Sequence, residues 1–522
     1  MKNITLLKAK VGILAVSCLS ITALFACVDK DARSDLSPSL PTDQAQNGDF
    51  GDQGGGSDQG LNFPVFDDGV LAFPGAEGYG KNATGARTGE GREIYHVTNL
   101  NDAGPGSFRD AVSKPWRIIV FDVSGVIKLS KDPVVLKSNQ TILGHTAPGD
   151  GIVLYNGRVS ASGAQNLIVR YLRIRMGAAY PSDQVDACGV ANGADMIFDH
   201  CSMTWGRDEC FSINPDGKGT APKNITIQNS IIGQGLQNHS CGGLMQTDIS
   251  NGCTIFRNLY IDNKTRNPKV KGLNQFVNNV VYNWGSGAAY NMGGDSSGKS
   301  ETTIENNYFI VGPCNNWQNV EIAPKVYEAQ QVPMNPARPF TGGNSDFRSY
   351  CKGNYYDYDK DGALNGIEIT EVNWSQYCSG SPTLLEARSD LHPIIRSQKS
   401  AQEAYEWVVE KVGAYLPVRD EVDKYLIDEL TSLGGKGTII QDERKTEQFP
   451  LGGPGTINAA QKPLDSDNDG MPDAFEDAWG LDKYDPTDAV KEAKNGYLNI
   501  ENYALSLEYP DEYEYELNKN KQ

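Results

Sequence analysis

Six stretches decide the fold: NLIVRYLRIRM (166–176), DMIFDHCSMTW (195–205), NITIQNSIIGQ (224–234), CTIFRNLYIDN (253–263), NQFVNNVVYNW (274–284) and TTIENNYFIVG (302–312). Each is a β-branched run with a polar residue near its centre, and Gly/Asn/Pro-rich connectors separate one from the next. Aligning the central residues gives Tyr171, His200, Asn229, Asn258, Asn279 and Asn306, in steps of 29, 29, 29, 21 and 27. One short strand phrase per repeat cannot bury a face alone, so successive phrases must stack on one another. A β-propeller blade needs four strands in about 40 residues, and this spacing is too tight for it. A parallel β-helix with the central asparagines in a ladder fits. Earlier rungs are expected in REIYHVTN (92–99), RIIVFDVSG (117–125) and GIVLYNGRVS (151–160).

Outward from this body the pattern changes. SAQEAYEWVVEKVGAY (400–415) and RDEVDKYLIDELTSL (419–433) carry apolar residues at helical spacing, which predicts a helical cap region over 396–450 on the outside or end of the β-helix. PLGGPGT (450–456) then breaks the chain before an acidic module at 451–522. At the other end, Lys2, Lys8 and Lys10 precede an apolar run over 11–25, the form of a secretory signal at 1–26. The run closes on Leu24-Phe25-Ala26-Cys27, which resembles a lipobox with Cys27 as the acylated residue. Residues 27–62 are Asp, Gly, Ser, Gln and Pro with little to bury, so they read as a tether, and 63–395 as the β-helix domain. The expectation is an exported protein, lipid-anchored to the outer membrane at the cell surface, with periplasmic or secreted forms as alternatives. Contact with the membrane is expected through the anchor only.

The chain has 522 residues, 39% hydrophobic, enough for a core, and a formal net charge of −19. That balance argues against nucleic acid as a partner. A monomer is expected. Against the acidic background, Arg257, Lys264, Arg266, Lys269 and Lys271 lie together with only Asp262 opposing them. This is either a groove for sugar carboxylates or the solvated edge of a rung. Excluding Cys18 and Cys27, eight cysteines remain; none forms a CxxC pair, and pairing cannot be assigned.

Three acidic groups can hold a cation. Asp465, Asp467, Asp469, Gly470, Met471, Asp473 and Glu476 match the twelve-residue calcium loop D-x-[DN]-x-[DN]-G-x5-E, and an EF-hand-like structural calcium module is expected there. Asp357, Asp359, Asp361, Ala363, Asn365 and Glu368 match it too, but strand-like flanks leave a plain Asp/Gly turn as the alternative. The third group is Asp183, Asp186, Asp208 and Glu209, which stacked rungs would bring to one face; solvated loop acids are the plainer reading.

Several phrases together resemble the polysaccharide lyase family 1 pectate lyases, of bacterial, lipoprotein type. FPGAEGYG (73–80) and VTNLNDAGPGSFRDAV (97–112) are similar to that family's start, FDHCSMTW (198–205) to its DH strand, and Lys264–Lys271 followed by VNNVVYNW (277–284) to its R-x-P-x-x-R segment and Asn-rich strand. The likeness spans 70–310. It implies an all-β, right-handed parallel β-helix of the pectin-lyase-like kind that cleaves pectate (polygalacturonate) by calcium-dependent β-elimination to unsaturated oligogalacturonides. It implies Arg266 as the catalytic base, which neighbouring cations must depress in pKa, with Lys264, Lys269 and Lys271 on substrate. Lys271 stands where the family has Arg, and no Lys occupies the rung before the base; His239 is the nearest candidate there, either a loop residue or a substrate contact. Asp186 falls at the family's calcium aspartate, 13 residues before Asp199, and Ser212 stands where another Asp is typical. Asp199 and His200 read as structural. The alternatives are a β-helical glycoside hydrolase working through paired carboxylates, or a non-catalytic surface glycan-binding adhesin; Arg266 with Pro268 in a basic segment favours the lyase.

Overall fold

The computed structural model describes residues 69–285, 288–293, 299–314, 317–324, 326–331 and 338–519. The signal, Cys27 and the tether lie outside them. Among the described residues the strands form three long sheets of eleven, ten and eight strands, each with parallel neighbours except for one antiparallel hairpin. Every rung visits the three sheets in turn: Gln165–Arg170, then Arg173–Arg175, then Cys188–Val190, and on to Ala194–Asp199 one rung later. This is a parallel β-helix.

The interior follows from the two-residue period of a strand. Ile142, Val169, Phe198, Ile227, Ile255, Phe276 and Ile304 pair in register along the first sheet and all point into one buried core. Burying such a side chain stabilises by roughly 1.5–3 kcal/mol, so repetition along the axis outweighs the weakness of each short strand. The eight described cysteines are free thiols, most of them in the interior.

The turn between the first and second sheets corrects the central-residue alignment. Tyr171, His200, Asn229, Arg257, Asn278 and Asn306 form one column, all left-handed with φ between 50° and 58°. Asn258 and Asn279 sit one residue further on, in a second column with Asn307 and Asn354. That second column is the ladder. Asn258 Nδ2 donates to Asn279 Oδ1 (3.1 Å), Asn279 to Asn307 (3.1 Å), and Asn307 to Asn354 (2.8 Å), all fully buried. In the first column the Tyr171 and His200 rings stack at 4.8 Å and 5°, and Asp199 pairs with Arg170 at 2.8 Å. Asp199 and His200 are structural.

Chain ends cover the outer faces. The segment FPGAEGYG lies flat on the first sheet: a Cβ on Gly80 would stand 2.1 Å from the Met196 carbonyl oxygen, so only glycine fits. The helices Asp473–Trp479 and Asn499–Glu508 pack on Ile118, Val120, Ile168 and Ile197 of the same sheet. The helices Ala401–Lys411 and Glu421–Thr431 lie on the second sheet, with Tyr405, Val408, Leu426 and Leu430 against Ile231, Leu259 and Val280. They flank the body along its side. Buried Arg175 clamps Asp420 (2.7 Å) and Asp423 (2.9 Å) at the start of the second helix. On the third sheet Ser212, Leu244, Lys269 and Asn291 align on successive strands.

Candidate active site

The turn from the second to the third sheet carries the chemistry. On successive rungs it presents Arg158, then Asp186, then Asp208 and Glu209, then His239 and Cys241, then Lys264 and Arg266, each just before a strand of the third sheet. Isolated bridges from Glu209 to Cys241 and from Cys241 to Thr265 hold the rungs in register. Short connectors on either side leave the turn no freedom to slip, so carboxylates and cations distant in sequence become neighbours.

Glu209 is buried and accepts a hydrogen bond from the Arg266 guanidinium. Its other neighbour is Asp186, whose Oδ1 accepts from the Glu209 backbone N–H at 3.3 Å. Burial, with Asp186 and Asp208 adding their charge, pushes Glu209 up to about 9, and burial raises Asp186 as well. Burial works the same way on Asp208, but the His239 imidazole, whose Nε2 lies 2.9 Å from Asp208 Oδ1, outweighs it and leaves Asp208 lowered. Asp208, Glu209, His239 and Cys241 each bring one ligand atom within 4.8 Å of the others.

Four expectations change here. Asp183 is exposed and is not gathered into this group. Lys264 is buried, and its ammonium donates to the Asn238 carbonyl at 2.6 Å, so it positions the loop before His239 and does not line the surface. Arg257 lies in the other turn column, its guanidinium 3.8 Å over the Trp407 ring. The basic cluster therefore reduces to Arg266, Lys269 and Lys271, with the two lysines on the strand Lys269–Lys271. Finally, Arg266 is raised in pKa: burial opposes its charge, but the Cys241 and Glu209 side chains beside it outweigh burial. Neighbouring acids, not cations, set its state. Arg158 acts by its charge on Asp186 from the preceding rung. No motif marked it; only its place before the strand Val159–Ser160, paired with Cys188–Gly189, could have found it.

The loop at 357–368 is a hairpin. Asn354–Asp357 pairs antiparallel with Ile367–Ile369, and Glu368 lies exposed opposite Tyr355. Asp361 closes the turn by accepting from Ala363 N (2.8 Å) and Asn365 Nδ2 (2.9 Å). Among the described residues its acids are not gathered within 4.8 Å of one another as a group of three. At 465–476 the acids do gather.

Residues 72–326 match the family model described as pectate lyase. A protein named probable pectate lyase C from Aspergillus fumigatus is 49% identical over 438 residues, covering 84% of this chain and 94% of its own. Its namesake in Emericella nidulans is 48% identical over 438 residues, covering 84% and 93%. Among solved structures, pectate lyase C from Erwinia chrysanthemi, at pH 9.5 with 30 mM Ca2+, is similar with a TM-score of 0.36 and 17% identity, covering 66% of this chain and 98% of that one.

Proposed function

The chain belongs to the pectate lyase family of polysaccharide lyases, and from that premise we propose that it cleaves polygalacturonate by calcium-assisted β-elimination, with Arg266 as the base. The observation that carries this reading is the column Asp186–Glu209–Arg266, in which paired carboxyls and a guanidinium face one another at the polar edge of the third sheet.

The donor set fits a calcium ion. Asp186, Asp208 and Glu209 offer carboxylate oxygens from two successive rungs. Burial keeps the Cys241 thiol protonated, which favours a hard cation over a thiophilic one. Bound by these residues, calcium would neutralise the uronate carboxylate and make the C5 proton more acidic.

The chain's own groups do the rest. Lys269 and Lys271, both half-buried on one face of the strand Lys269–Lys271, supply charge to neighbouring uronates, Lys271 as a point charge where a guanidinium would give a fork. His239, half-exposed beside Asp208, is placed to meet the polymer. Arg266 takes the proton from C5 as the bond from C4 to the leaving sugar's oxygen breaks and the double bond forms. Before that it is the counter-ion of Glu209. Any charge that neutralises Glu209 weakens the hold on the guanidinium proton, so loading the carboxylates and freeing the base are one event.

Incubation with polygalacturonate and calcium should give ultraviolet absorbance from an unsaturated product. New reducing ends without that absorbance would mean hydrolysis, and binding without cleavage would leave an adhesin. We further propose that the protein is held at the outer membrane through acylated Cys27, supported by the leader and tether composition alone. The Aspergillus and Emericella relatives are fungal and do not bear on a bacterial lipoprotein subtype. Mass spectrometry of the membrane fraction should find a mature N-terminus at lipidated Cys27, and a soluble protein starting elsewhere would overturn it.

A further inference from the structure

Glu476 is fully buried, and neither of its carboxylate oxygens has a hydrogen-bond partner. The same holds for Oδ2 of Asp469, Oδ2 of Asp467 and Oδ1 of Asp488. These acids form two groups that share one member: Asp465, Asp467 and Asp469, and Asp469, Glu476 and Asp488, with the ligand oxygens of each group within 4.8 Å of one another. Unpartnered buried carboxylates cost far more than a surface loop can offset unless a charge neutralises them. Lys462 reaches Asp465 at 3.5 Å, but its ammonium also donates to Asp122 and Asn468.

We propose that Asp465, Asp467, Asp469, Glu476 and Asp488 bind a calcium ion that fastens the C-terminal helices to the first sheet. The donors are all carboxylates, and Gly470, at φ 92°, makes the sharp turn such loops require. The ligand set departs from the loop pattern in one respect. Asp473 accepts instead from Ser466 N (2.7 Å) and Ser466 Oγ (2.8 Å), and Asp488, twelve residues beyond the loop's end, takes part in its stead. Asp488 opens the short turn Asp488–Val490, and its carbonyl accepts from Asn499 Nδ2 at 2.9 Å, which ties the ion to the helix Asn499–Glu508. Met471 and Phe475 enter the core that contains Ile118, Val120, Ile168 and Ile197. One ion thus joins the loop, the turn and the helix against the β-helix. The site shares no residue with the candidate active site, so it stands whether or not the proposed function does.

The test is thermal melting of the metal-stripped full chain, with calcium chloride or magnesium chloride added. Calcium should raise the midpoint by about 5 °C at saturating concentration, magnesium less. Asp488→Asn and Glu476→Gln should lose that rise while melting no lower than the wild type without metal, since each removes a buried charge. Glu209→Gln should keep the rise, which separates this ion from one at the active site. A wild type indifferent to calcium, or an Asp488→Asn protein that keeps the whole shift, overturns the proposal. Should both variants fail to fold, hydrogen exchange on the wild type decides: calcium should slow amides over 465–508, and equal exchange with and without it overturns the proposal.

Discussion

Glu209 and Arg266 lie 57 residues apart in the chain and meet in one ion pair, with Cys241 bridging the rungs between them. On the proposed mechanism the guanidinium would act as base once Glu209 has another partner. Arg266→Lys keeps the charge and loses the planar fork, and Arg266→Ala loses both. For a base, both should lower kcat by a similar factor, on the order of 10²–10⁴, with KM little changed. Rescue of turnover by lysine would make Arg266 a steering charge only.

Lys264 and Lys271 look alike in sequence and differ in burial. Lys264→Met should lower stability by about 0.5–1.5 kcal/mol, because the part-buried hydrogen bond from its ammonium to the Asn238 carbonyl is lost. Lys271→Ala should leave the melting midpoint unchanged and raise KM. Denaturant titration paired with steady-state kinetics separates the two, and an exchange of these effects would refute the assignment.

Removal of divalent cations with EGTA should abolish product formation while the far-ultraviolet circular dichroism of the β-helix persists. The interior is built of Ile, Val, Phe and Asn columns that need no ion. Full turnover after rigorous stripping would remove calcium from the mechanism.

A different titration should govern stability. Asp262, which follows the strand Leu259–Ile261, and Glu429, on the helix Glu421–Thr431, are buried and interact electrostatically. Burial pushes Asp262 up to about 6, and burial together with the Asp262 charge raises Glu429 further. The folded state therefore keeps protons that the unfolded chain releases near pH 4. This contribution is fully present below that range and is lost as pH rises through the folded values, by up to about 1.4 kcal/mol per unit for each retained proton. Glu429→Gln should flatten the decline in chemical-denaturation stability between pH 5 and pH 9 (a window set by the Asp262 shift and the larger Glu429 one). An unchanged slope would show that the pair does not titrate on unfolding.

The asparagine ladder makes the last prediction. Asn279 donates to the Ile255 carbonyl at 2.9 Å and to Asn307, and accepts from Asn258. Asn279→Ala leaves several buried groups unpaired, so a loss of about 2–4 kcal/mol is expected in urea unfolding. A loss below 1 kcal/mol would mean that water replaces the amide.

Much of the fold is encoded locally. Strand phrases at near-constant spacing, each with a polar centre, required stacking rungs, because no single phrase could bury a face. The acidic loop at 465–476 was legible because its spacing is a short-range property of one turn. The helices at 401–411 and 421–431 were legible from their apolar stripes, and Ser400 and Asp420 cap them.

What tertiary structure decided was membership. Asn258 and Asn279 belong to the ladder, while Arg257 and Asn278 take the left-handed column, because the residue that turns the corner is set by register with the rungs above and below. Arg257 and Arg266 lie in one basic run, yet one stacks on Trp407 and the other meets Glu209, since a rung carries residues nine positions apart to different edges of the helix. Lys264 was withdrawn into the wall, Asp183 left in solvent, and Asp488 recruited to a loop that ends twelve residues before it. Sequence sets a residue's period along its strand; which residues become neighbours depends on the connector lengths that bring rungs together, a long-range condition no local pattern contains.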